Sequence, residues 1–132
     1  MQEVYDYLKN AGFYYLATVD GDKPKVRPFG TYLIYNDKFY IQTGKVKPVA
    51  QQMLANPNIE ICAFNPGEGT WLRLAAEAIE DPDEGAQAAL LNDYPQLQDR
   101  YAVGDGNLIV LALKNATATF ENHGGVFKTV TF

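Results

Sequence analysis

Short strand-like runs joined by tight turn signals fill the first third of the chain, and they exclude most folds. Phe13 to Val19 is followed by Asp20-Gly21-Asp22-Lys23-Pro24, in which the Asp-Gly pair is a hairpin signal. Lys25 to Tyr35 reads as a long strand, Asn36-Asp37 as a turn, and Lys38 to Thr43 as the next strand. Consecutive strands with tight turns pair antiparallel, which argues against a doubly wound α/β sheet. Further strands are expected over Ile59 to Phe64, Trp71 to Glu80, Leu108 to Glu121 and Val126 to Phe132. Met1 to Ala11 predicts an amphipathic helix, with Val4, Tyr7, Leu8 and Ala11 on one face and Gly12 at its end. Pro48 suits the first turn of a helix to about Ala55, and Asp83 caps one to about Asp93. Gln96 to Arg100 adds a turn. Six or seven strands with three short helices predict a mainly β, antiparallel barrel with helices plugging its ends.

The 132 residues make one domain, 1–132, with no repeat, low-complexity tract or linker. Hydrophobic residues at 47% and charged residues at 20% predict a globular chain. No apolar run approaches the roughly 20 residues of a membrane helix. The N-terminus has neither a basic nor an apolar signal region. The lone Cys62 allows no internal disulfide and fits a cytoplasmic location.

Reactive side chains are scarce. There is one Cys, one His (His123) and no Ser, so a Ser-His-Asp triad is impossible. A zinc site would draw most ligands from Asp or Glu, so no metal is expected. Any catalysis is therefore expected from a bound cofactor, and no catalytic side chain is assigned. The net charge is −5, yet residues 23–47 hold six basic side chains against one acid. An acidic chain with a basic island suits a small anionic ligand better than nucleic acid. Lysines guarding a sheet edge would leave the same pattern.

Three stretches carry the site. In Tyr40-Ile41-Gln42-Thr43-Gly44-Lys45-Val46-Lys47-Pro48-Val49 a strand enters a Gly-containing loop and then a helix start. First-turn amides without internal acceptors, the Thr43 hydroxyl, Lys45 and Lys47 would form a phosphate cradle. The alternative is two exposed lysines ahead of a helix, and the GxxxxGK[ST] pattern is absent. In Lys25-Val26-Arg27-Pro28-Phe29-Gly30, Pro28 marks an edge or bend, and Gly30 allows close backbone approach. In Thr70-Trp71-Leu72-Arg73, Trp71 either walls an aromatic ligand or packs a core or dimer contact. His123 reads as a turn residue, Cys62 as an inert strand thiol, and Asp81, Asp83 and Glu84 as helix-start acids.

At FYYLATVDGDKPKVRPFG, KFYIQTGKVKPVAQQMLANPNIEICAF and GTWLRLAAEA the chain resembles the pyridoxamine 5′-phosphate oxidase-like FMN-binding split barrels. Among these it is similar to the small bacterial nitroimidazole-resistance (Nim-type) flavoproteins. The resemblance implies a six-stranded antiparallel split barrel with short flanking helices, a homodimer, and FMN at the subunit interface. It implies cofactor contacts from Arg27, Pro28, Phe29, Thr43, Lys45 and Lys47, and from Trp71 across the dimer. It also implies an FMN-dependent oxidoreductase fed by a donor such as NAD(P)H. A non-catalytic flavin carrier and a deazaflavin (F420)-dependent reductase are the alternatives. The C-terminal Trp and Arg that the oxidases proper use for substrate phosphate have no match here, so pyridoxamine phosphate is not the expected substrate.

Overall fold

A computed structural model describes all 132 residues. Helix α1 (Gln2–Ala11) leads into a hairpin of β1 (Tyr14–Asp20) and β2 (Lys23–Phe29). Next come β3 (Leu33–Tyr35), β4 (Lys38–Gly44), α2 (Pro48–Ala55), β5 (Asn58–Asn65) and β6 (Thr70–Asp81). Helix α3 (Glu84–Asp93) and a 3₁₀ helix, Pro95–Asp99, precede β7 (Leu108–Asn122) and β8 (Gly125–Thr131). All strands join one antiparallel sheet in the order β2-β1-β5-β6-β7-β4-β3, with β8 added on β7.

The split barrel is as expected, but with eight strands rather than six. Val126 to Phe132 forms β8 as the sequence reading expected, and the further strand arises because the run Lys25 to Tyr35 breaks at Gly30-Thr31-Tyr32. Side chains satisfy the backbone there in place of a neighbouring strand. The Tyr14 hydroxyl donates to the Thr31 carbonyl at 2.7 Å. The Tyr94 hydroxyl accepts from the Tyr32 N–H at 3.0 Å and donates to its carbonyl at 2.9 Å. A strap with its amide and carbonyls tied this way has no need of a ladder partner.

Strand alternation sorts side chains into two cores. One lies inside the barrel, around Leu16, Phe39, Ile41, Ile61, Leu72, Leu74 and Leu111, closed by Val4 and Leu8 of α1 and Met53 of α2. The other lies on the opposite face of β4 and β7, where Tyr40, Val110 and Ala112 meet Ala86, Leu90 and Leu91 of α3. This second core holds the helical excursion of residues 84–101 against the barrel. Asp83 caps α3 by accepting from the Gly85 N–H at 2.8 Å, as expected from the sequence.

Candidate functional site

Three parts of the chain converge on a pocket of about 180 Å³. The end of β2 and the strap supply Pro28, Phe29, Gly30 and Thr31. The end of β4 and its loop supply Gln42, Thr43 and Lys47. The helical excursion supplies Leu97, Arg100 and Tyr101. No carboxylate, histidine or cysteine lines it. A larger hollow of about 460 Å³, between the β1–β2 turn and α2, contains none of the expected site residues.

Gln42 is the most informative residue in the pocket. It is 5% exposed, and its Nε2 is the one buried side-chain polar atom in the molecule without a hydrogen-bond partner. Its backbone is pinned, because Thr31 Oγ1 accepts from the Gln42 N–H at 3.2 Å and donates to its carbonyl at 3.3 Å. An orphaned buried donor costs about 1–3 kcal/mol, so a group lining a pocket and left in this state is suited to a ligand acceptor. Thr43, the next residue along β4, also lines the pocket. Lys47 and Arg100 are exposed, and neither joins any of the three ion pairs, Lys38–Asp81, Lys45–Glu80 and Lys128–Glu3. Two free cations and an unsatisfied amide donor together form an acceptor-seeking, anion-favouring surface.

The structure therefore brings together Pro28, Phe29, Thr43 and Lys47, and leaves the other three expected site residues outside this pocket. Lys45 Nζ is held by Glu80 at 3.2 Å. The Arg27 guanidinium turns toward α2. It donates to the Leu16 carbonyl at 3.1 Å, Thr18 Oγ1 at 2.7 Å and Gln52 Oε1 at 2.8 Å, and burial lowers its pKa. Two of its five N–H donors remain free. Trp71 pairs with Glu121, whereas Gly44 pairs with Leu108, so Trp71 and the pocket lie at opposite ends of β7. Trp71 belongs to neither core and packs edge-on against His123, with ring centroids 5.5 Å apart.

The cradle differs from expectation in one respect. In the first turn of α2 the Ala50 and Gln51 N–H groups donate to the Lys47 carbonyl at 3.1 and 3.2 Å, and the amides ahead of the helix are engaged as well. Lys45 N–H donates to the Asn107 carbonyl at 2.7 Å, Val46 N–H to Asn107 Oδ1 at 3.2 Å, and Lys47 N–H to the Gly44 carbonyl at 3.0 Å. Side chains, more than loop amides, thus carry the anion-binding capacity. Gly44 leaves room for a close side-chain approach. A Cβ there would sit 2.7 Å from the Tyr101 hydroxyl, so the glycine lets Tyr101 close over the strand end.

Arg100 and Tyr101 were not legible as site residues, because 56 positions separate Arg100 from Gly44. Gln42 had a signal, a long polar side chain within the buried run Phe39 to Gly44. Burial raises the Cys62 thiol pKa, and no group of three or more His, Cys, Asp or Glu is placed to hold a metal. Asp81 accepts from the Tyr40 hydroxyl at 2.7 Å, which holds its carboxyl below the usual range, and it braces β4 against β6.

A mainly β split barrel with an anion-favouring pocket at two strand ends defines the structural class. Residues 1–120 match the family model described as pyridoxamine 5′-phosphate oxidase, and the chain belongs to that family. A crystal structure of a NimC/NimA family protein from Clostridium acetobutylicum is 34% identical. It has a TM-score of 0.93, and the match covers 100% of this chain and 93% of that one. General Stress Protein 26 from Bacillus anthracis matches at TM-score 0.76 and 14% identity, over 99% and 97% of the two chains. A pyridoxamine 5′-phosphate oxidase-related, FMN binding protein from Nostoc punctiforme matches at TM-score 0.64 and 16% identity, over 99% and 95%. None of the curated proteins matches.

Proposed function

We propose that this protein is an FMN-binding oxidoreductase that works as a homodimer. The orphaned Gln42 donor in a pocket flanked by unpaired Lys47 and Arg100 is the observation that carries this reading. In it, Lys47 and Thr43 hold the phosphate, Gln42 donates to a flavin acceptor, and Pro28 and Phe29 line the ring. Arg27 keeps two donors for the ligand and Lys45 stands behind the loop. The bound flavin would supply two-electron transfer, with NAD(P)H the donor class to be tested.

The pocket's size favours a second chain. About 180 Å³ falls below the roughly 300–1,000 Å³ of ordinary ligand sites, so one protomer supplies only part of a flavin site. Exposed Phe13, Tyr15 and Phe64, around a largely apolar hollow of about 300 Å³, give a second copy apolar surface to cover. The unpaired Cys62 is compatible with a reducing cytoplasm, and no helix is long and apolar enough to cross a membrane.

Lys47→Ala tests the site. It is expected to weaken FMN binding roughly 10- to 150-fold, the worth of one charge-assisted contact, and to leave riboflavin binding unchanged. Lys47 is exposed, so thermal unfolding of the apoprotein should barely move. Equal loss for both ligands would remove Lys47 from the phosphate. NAD(P)H oxidation by the flavin-loaded protein then separates an oxidoreductase from a flavin carrier.

Trp71→Ala provides an independent check on the shared site. Trp71 lies outside both cores, so its removal should cost the apoprotein well under the ~3–5 kcal/mol of a buried aromatic. Quenching of this sole Trp by FMN, together with a modest loss of FMN affinity in the variant, is the expected result. Indifference of Trp emission to FMN would place Trp71 away from the flavin.

A further inference from the structure

Arg100 has no role in the fold that explains its placement. It ends the 3₁₀ helix, is exposed, and pairs with no carboxylate, although the chain carries 16 acids. Its position is nevertheless closely held. Leu97 and Tyr101 on either side are buried in the second core. Tyr101 packs over Gly44, where a Cβ would come within 2.7 Å of its hydroxyl. Tyr94, at the start of the same helix, grips both backbone groups of Tyr32 in the strap, and burial pushes its pKa up to about 12, so it stays protonated and donating at neutral pH. The helical excursion is thus fixed to the strap at one end and to the end of β4 at the other. Between those anchors it carries Arg100 to the mouth of the pocket that Lys47 flanks and Gln42 underlies.

Two unpaired cations around one small pocket repel each other unless an anion lies between them. A guanidinium also differs from an ammonium in presenting a planar fork that matches a phosphate bidentately. We infer that Arg100 is a specificity-determining residue of this site, reading a phosphate monoester jointly with Lys47, so that the excursion of residues 84–101 forms one jaw of the ligand site. This rests on the flavin reading above, and the phosphate is taken as that of FMN.

The test compares FMN and riboflavin titrations of wild type, Arg100→Ala, Arg100→Lys and Lys47→Ala. Wild type is expected to prefer FMN. Arg100→Ala should lose roughly 10-fold or more in FMN affinity with riboflavin unchanged, and Arg100→Lys, which keeps charge without the fork, should fall between. Apoprotein melting should not fall, because the side chain is exposed and unpaired. If Arg100→Ala keeps the wild-type preference while Lys47→Ala loses it, Arg100 is only a solvated surface residue and the flavin reading stands. Equal loss for both ligands in Arg100→Ala also overturns the proposal. A wild-type protein that binds FMN no better than riboflavin overturns both readings together.

Discussion

Tyr14→Ala is expected to cost about 3–5 kcal/mol of stability, the range for truncating a fully buried aromatic, read as a shift of the denaturation midpoint at constant slope. The residue is fully buried in the barrel core, with its ring against Phe29 at 6.0 Å and Tyr32 at 6.5 Å. Burial raises its pKa well above the ordinary tyrosine value, so the hydroxyl remains a donor at all working pH. That donor holds the Thr31 carbonyl. Tyr14→Phe keeps the ring and removes only the bond, so about 1 kcal/mol is expected. It should nonetheless weaken FMN binding, because Thr31 in turn fixes the Gln42 backbone. A Phe variant with unchanged flavin affinity would show that the strap needs no help from Tyr14.

Gln42→Leu is expected to move stability and binding in opposite directions. In the apoprotein the substitution removes a buried, unsatisfied amide donor and puts an apolar group of similar reach in its place. Stability should rise, by up to about 1–3 kcal/mol. FMN affinity should fall by about 5-fold or more, since the ligand loses that donor. Opposite signs in thermal unfolding and flavin titration are the mark of a group kept for function at the expense of stability. A variant that loses stability, with affinity untouched, would make Gln42 a structural residue satisfied by water. The same experiment with Gln42→Met checks that the result does not depend on leucine's branching.

Local signals in the sequence were enough for most of the architecture. The turn clusters at residues 20–24 and 36–37 placed the early strands, and Pro48 and Asp83 placed two helix starts. The break in the run from Lys25 to Tyr35 was not legible. It depends on Tyr14 and Tyr94, which lie far from it along the chain and satisfy its backbone with their side chains. Of the expected site residues, Pro28, Phe29, Thr43 and Lys47 meet because β2 and β4 end at the same place. Nothing in the local pattern shows that three of the Arg27 donors go to Leu16, Thr18 and Gln52, or that Lys45 pairs with Glu80.

By itself, then, the sequence determined what short-range chemistry can determine: antiparallel pairing, helix caps, alternation of buried and exposed faces, and a basic island before α2. Only the tertiary structure decided which donors remain free. Whether a cation is available to a ligand depends on acids that folding brings beside it, and Glu80 reaches Lys45 but not Lys47. Whether a polar group is orphaned depends on everything packed around it, and only the folded chain leaves Gln42 Nε2 without a partner. Arg100 enters the pocket because the second core docks residues 84–101 across β4 and β7, a contact between segments with no common local pattern.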